Sequence, residues 1–188
     1  MTDRKIACVA TALPLAVILL LAGCSSGKAA AGNTARALPA AKSFSLKVLG
    51  RPGQQISLGD YAGKPVIINF FASWCTPCKR ETPLLARFYK SSHGKVVIIG
   101  VDANDEAGKA EKFVEAADVS YPVAFDPFPA KTTTSYGVFA LPQTFFLDSR
   151  HRIVKKILGA VTLTQLTKGV ALIDNRNTTL AAGAQGQG

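Results

Sequence analysis

Two stretches of the chain are apolar almost without interruption. Val66, Ile67, Ile68, Phe70 and Phe71 are rich in β-branched and aromatic character, the pattern of a strand covered on both faces of a sheet. Residues 96–101, Val-Val-Ile-Ile-Gly-Val, repeat it. After the first run the spacing changes: Leu84, Leu85, Phe88 and Tyr89 recur at helical intervals, so strand, turn and helix follow in that order. Upstream, residues 44–49 alternate in part and Pro52-Gly53 leads to 56–58, which predicts an N-terminal β-hairpin. Downstream, Asn104 or Asp105 is placed to cap a helix over 106–117, with Phe113, Val114 and Ala117 on one face. A short strand at 123–125, a helical segment at 131–136, strands at 144–147 and 153–158 and a helix over 162–173 complete an α/β pattern. The Gly-, Ala- and Gln-rich tail from 177 to 188 is expected to be disordered.

The first residues belong to a different pattern. Arg4 and Lys5 precede an apolar stretch over 6–21, interrupted by Thr11 and Pro14 and ending Leu21-Ala22-Gly23-Cys24, which reads as a signal peptide over 1–23. Leu-Ala-Gly-Cys resembles the bacterial lipobox, which implies that Cys24 is lipidated and starts the mature chain. The other reading is an uncleaved single-span anchor, for which the stretch is short and contains a proline. Both place the domain outside the cytoplasmic membrane. Residues 24–42, rich in Ala, Gly and Ser, form a flexible tether with a span of roughly 20–25 Å. One domain of ordinary size, 43–176, remains. The net charge of +10 contains no basic run interleaved with aromatics, so nucleic acid is set aside as a partner. Lys28, Arg36 and Lys42 favour either anionic headgroups or simple solubility.

At the seam between strand and helix stand Trp74, Cys75, Thr76, Pro77 and Cys78. The first turn of a helix has unpaired N–H groups and the positive end of the macrodipole, which favour an anion such as a thiolate. Cys75 is thereby the attacking sulfur, with a lowered pKa. Cys78, one turn in and on the same face, is placed to close a disulfide. Pro77 suits the first helical position, and Lys79 adds positive charge nearby. Trp74 is either a substrate platform at the rim or packing.

The run N-F-F-A-S-W-C-T-P-C-K-R-E-T-P, residues 69–83, resembles the thioredoxin superfamily, and within it the exported, membrane-tethered thiol:disulfide interchange proteins of the TlpA and ResA type. The resemblance implies a thioredoxin-like fold: a central mixed β-sheet flanked by helices, with the N-terminal hairpin and one extra strand-helix insertion before Pro142. Asn69 stands where cytosolic thioredoxins usually have a buried Asp, so a proton acceptor for Cys78 is sought elsewhere. Glu81 matches an acidic position of the exported branch and is either that acceptor or an exposed helical glutamate. Pro83 is expected to kink the helix by removing an N–H and crowding the carbonyl of Lys79. Pro142, just before a buried strand, resembles the superfamily's cis-proline. It would pack against the disulfide, keep metal ions from the sulfurs and expose the backbone of Leu141 to an extended substrate; an ordinary trans proline is the alternative. The segment 136–145 is also similar to the G-V-x-G-x-P-E-T-F element of the cytochrome c maturation thioredoxins, with Ala140 for the glycine and Gln143 for the glutamate.

Of four cysteines, Cys8 would leave with the signal and Cys24 would be acylated, so only Cys75 and Cys78 stay in the soluble domain. An extracytoplasmic chain that builds no structural disulfide keeps its one pair for reaction. The expected activity is thiol:disulfide exchange with exported proteins, by a monomer without a cofactor, supplied by a membrane electron donor or acceptor. Two alternatives stay open. Two soft thiolates suit Cu(I), although they are too few for a structural zinc. A thiol peroxidase usually carries Thr three residues before its reactive cysteine, and Ala72 is there. His93 and His151 fall in predicted turns and are read as solvated, with no metal site assigned.

Overall fold

A computed structural model describes residues 38–185, with side chains to 174. The leader, Cys24 and most of the tether lie outside the described residues. Seven strands form one mixed sheet in the order β2-β1-β5-β4-β3-β6-β7. They are β1 (Ser45–Val48), β2 (Gln55–Ser57), β3 (Val66–Phe71), β4 (Val97–Ala103), β5 (Val123–Asp126), β6 (Gln143–Leu147) and β7 (Ile153–Leu158). Helices α1 (Thr76–Ser91), α2 (Ala107–Ala116), α3 (Lys131–Ser135) and α4 (Leu163–Gln185) follow β3, β4, β5 and β7. β3 lies inside the sheet, parallel to β4 and antiparallel to β6, and all six of its residues are buried.

Because side chains alternate across a strand, β3 feeds two cores. Ile67 and Phe71 join the cluster that holds Cys75, Cys78, Leu85, Leu166 and Ile173. Val66, Ile68 and Phe70 join the opposite cluster with Val101, Phe145 and Leu147. This is why the run is apolar at successive positions rather than alternate ones.

Local chemistry shifts several predicted boundaries. Ser57 and Asp60 form a capping box, so Leu58 leaves the hairpin strand and opens a 3-10 turn over Leu58–Tyr61. The N-cap of α2 is Glu106 rather than Asn104 or Asp105, and its side chain makes no capping bond. At α4, the Thr162 hydroxyl accepts from the Gln165 backbone N–H while the Gln165 side-chain Oε1 accepts from the Thr162 backbone N–H, at 3.3 and 2.8 Å. This helix runs to Gln185, past the predicted end at 173 and into the tail expected to be disordered, whose last three residues lie outside the described ones; Leu180, Ala181, Ala182 and Ala184 are strong helix formers there. His151 is half-buried rather than solvated, its Nε2 3.1 Å from the Tyr61 carbonyl oxygen.

α4 comes closest to the sheet at Gly169, where a Cβ would collide with the buried ring of Phe146. Gly169→Ala is expected to destabilise the domain by about 1–3 kcal/mol despite alanine's better helix propensity, because the ring has no room to retreat. A urea midpoint equal to or above that of the parent would contradict this packing.

Candidate active site

Chain direction places the chemistry. β3 ends at Phe71, and Ala72 to Trp74 carry the chain to Cys75, the N-cap of α1 in extended conformation (φ −81°, ψ 109°). Thr76 is therefore the first helical residue and Pro77 the second, one position later than predicted, where the proline's missing N–H is still one that no carbonyl would have met. Cys75 and Cys78 are joined in a disulfide. The Cys75 Sγ also accepts the Cys78 backbone N–H at 3.2 Å. The two residues differ slightly in exposure: Cys75 is 5% exposed and Cys78 0%.

β6 runs antiparallel to β3 with Gln143 opposite Phe70, so Pro142 comes at the same edge of the sheet from which the motif leaves. Pro142 is buried and the Leu141–Pro142 bond is cis. Its carbonyl accepts the Gly159 N–H at 2.9 Å. Leu141 is half-buried and packs against both core clusters. Trp74 is 57% exposed, with Nε1 donating to the Asn104 carbonyl at 3.2 Å.

Glu81 is not an exposed helical glutamate. It is buried in α1, three residues after Cys78, with both oxygens engaged. Asn69 Nδ2 of β3 donates to Oε1 at 2.5 Å, and the Val161 backbone N–H donates to Oε2 at 2.7 Å. The same Asn69 amide donates to Thr144 Oγ1 of β6 at 3.0 Å. Burial pushes the carboxyl up to about 7, while the donors from Val161 and Asn69 pull the other way.

A second buried carboxyl was missed by sequence reasoning. Asp102, at the end of β4 and opposite Phe71, is fully buried, and neither oxygen meets an N–H or O–H donor among the described residues. Burial, and after it the charge of the nearby Asp105, raise the Asp102 carboxyl to about 8. Asp105 accepts the Ser73 N–H at 2.5 Å and the Glu106 N–H at 2.7 Å. At about 8, the Asp102 carboxyl holds its proton at neutral pH. The one signal in the sequence was a charge directly after an apolar run. Among the described residues no three His, Cys, Asp or Glu side chains gather as metal ligands, and no helix is long and apolar enough to cross a membrane.

Residues 39–156 match the model of the AhpC/TSA family. The thiol-disulfide oxidoreductase ResA of a Bacillus cereus strain is 37% identical over 115 residues, a match covering 61% of this chain and 66%, just under two thirds, of that protein's length. ResA of Bacillus subtilis (strain 168) is 33% identical over 123 residues, covering 64% of this chain and 68% of its own. Among solved structures, a DsbF homologue from Corynebacterium diphtheriae superposes with a TM-score of 0.62 at 28% identity, covering 71% of this chain and 85% of that one.

The Glu81 carboxyl binds its proton more tightly folded (about 7) than at the ordinary 4.5. Between those values the folded state holds a proton the unfolded chain has lost, so this group makes stability fall as pH rises from 4.5 to 7 and level off above. Glu81→Gln is expected to flatten that window by on the order of 3 kcal/mol, read as urea midpoints of the oxidised protein across pH; Asp102 keeps its own slope up to about 8. An unchanged slope would show that Glu81 ionises normally.

Proposed function

The chain belongs to the AhpC/TSA family, with a thioredoxin-like fold, and from that footing we propose that it is a thiol:disulfide oxidoreductase acting through Cys75 and Cys78. The observation that carries the reading is the asymmetry of the pair. Cys75 is 5% exposed and Cys78 0%, and the Cys75 sulfur sits at the N-terminus of α1 accepting a backbone N–H, where a thiolate is stabilised by the helix end. In the reduced protein the Cys75 thiolate attacks a substrate disulfide, expels one substrate thiolate and becomes the mixed disulfide. Cys78 then attacks the Cys75 sulfur, releasing the second substrate thiol and restoring the internal disulfide.

Cys78 is buried away from solvent, so its proton needs an acceptor inside the protein. Glu81, on the same helix one turn along and half-ionised near neutral pH, is the acceptor in this scheme. Pro142 and Leu141 would form the wall on which an extended substrate lies, with Trp74 as its rim. A lipid on Cys24, the first residue left after cleavage of the leader over 1–23, would keep the domain at the outer face of the cytoplasmic membrane, with exported proteins as substrates and a membrane redox partner closing the cycle. Peroxidase chemistry, to which the family name also points, is disfavoured by Ala72 and by the pairing of Cys75 with a cysteine three residues away.

Cys78→Ser is expected to accumulate mixed disulfides with other proteins, visible as reductant-sensitive bands, whereas Cys75→Ser gives none; equal trapping by both would refute the assignment of roles. Glu81→Gln should slow resolution of the mixed disulfide by about a hundredfold at neutral pH while leaving its formation nearly unchanged. Cys24→Ser should move the protein from the membrane pellet to the soluble extracytoplasmic fraction; retention in the membrane would favour an uncleaved anchor.

A further inference from the structure

Trp74 separates two unlike surfaces. On one side is a groove of about 240 Å³ that Trp74 shares with Phe128, Pro129, Phe139 and Leu141, and no charged side chain lines it. Phe128 and Phe139 stand 82% and 91% exposed at its rim. Large apolar side chains held in water beside a reactive site mark a surface that is covered in use. On the other side, Trp74 and Phe113 wall an open pocket of about 430 Å³ with Lys79, Lys109 and Lys112. Lys109 is occupied by Glu106 at 2.7 Å, while Lys79 and Lys112 have no ion-pair partner among the described residues. Cys75 comes directly after Trp74, the residue that lines both surfaces.

We propose that this two-sided rim selects polypeptide disulfides whose reactive cysteine has a bulky apolar residue on one side and an acidic residue on the other. The uncharged groove takes the apolar neighbour, where aromatic packing against Phe128, Phe139 and Trp74 removes their rings from water. The basic pocket takes the carboxylate, in a partly open setting where the attraction is screened by salt. This specificity rests on the thiol:disulfide exchange reading and goes beyond it by naming the class of substrate.

The test uses the reduced full-length chain in a fixed mild detergent and short peptides whose single cysteine is disulfide-linked to glutathione. Phe/Glu, in both orders, is compared with Phe/Lys, Gly/Glu and Gly/Gly flanks. In the reaction the Cys75 thiolate attacks the peptide sulfur and glutathione thiolate leaves. Cys78 then displaces the peptide thiolate as the Cys75–Cys78 disulfide forms, and the two protons of the dithiol pass to the two leaving thiolates.

At low salt the better Phe/Glu order is expected to react about tenfold faster than Gly/Gly. Raising salt should erase the advantage of Glu over Lys and leave that of Phe over Gly. Phe128→Ala with Phe139→Ala should remove the Phe advantage alone, and Lys112→Glu should reduce or invert the Glu advantage alone; all three positions are exposed. Equal rates across the panel, or preferences that survive in the variants, would overturn the proposal. No reaction with Gly/Gly or any other peptide would instead overturn the exchange reading beneath it.

Discussion

The contact on which the site depends is the Glu81 carboxylate, because it ties together the elements that meet at the disulfide. It belongs to α1, which also carries Cys78. Through Oε1 it holds Asn69 of β3, and through Oε2 it holds Val161 in the loop between β7 and α4. A carboxylate without partners at that depth would cost several kcal/mol. Two donors, one of them a backbone N–H, offset much of that cost but not all, and burial leaves the group divided between its two protonation states near neutral pH. A residue in that balance accepts and returns a proton with little change in free energy, the property the proposed exchange asks of it.

Asn69 gives this network its form. A carboxylate at that position would face the Glu81 carboxylate across a hydrogen-bond distance, and like charges so close would drive one of them neutral. An amide donates instead, and its other partner, Thr144 Oγ1, extends the network to β6 immediately after Pro142. The cis-proline edge and the cysteine helix are thus joined through β3 beneath the surface as well as by backbone pairing.

The mouth of the site is organised separately, from β4. Asp105 accepts the Ser73 N–H and Asn104 accepts the Trp74 indole N–H, so the chain leading to Cys75 is clasped by the strand end beside it. This clasp fixes Trp74 as the ridge between an uncharged aromatic groove and a lysine-lined pocket. Cys75 follows that ridge directly in the chain.

The sequence by itself determined what depends on periodicity and on neighbours in the chain. The doubly buried strand β3, the helix after it, the hairpin and the order of strands and helices were legible because apolar spacing reports how many faces an element buries. Cys75 and Cys78 were legible because their separation of three puts them on one helical turn. Only the tertiary structure decided the rest. Val161 lies 80 residues from Glu81 and Thr144 75 from Asn69, so no local pattern encodes those bonds. Nothing local marks Asp102 as buried; it lies beside Phe71 of β3 with no exposed surface. Nothing local sets Phe128 and Phe139 apart either, and the fold leaves both in water beside Trp74. The physical reason is the same throughout: burial and protonation depend on what packs from elsewhere in the chain, and a one-dimensional pattern does not contain that information.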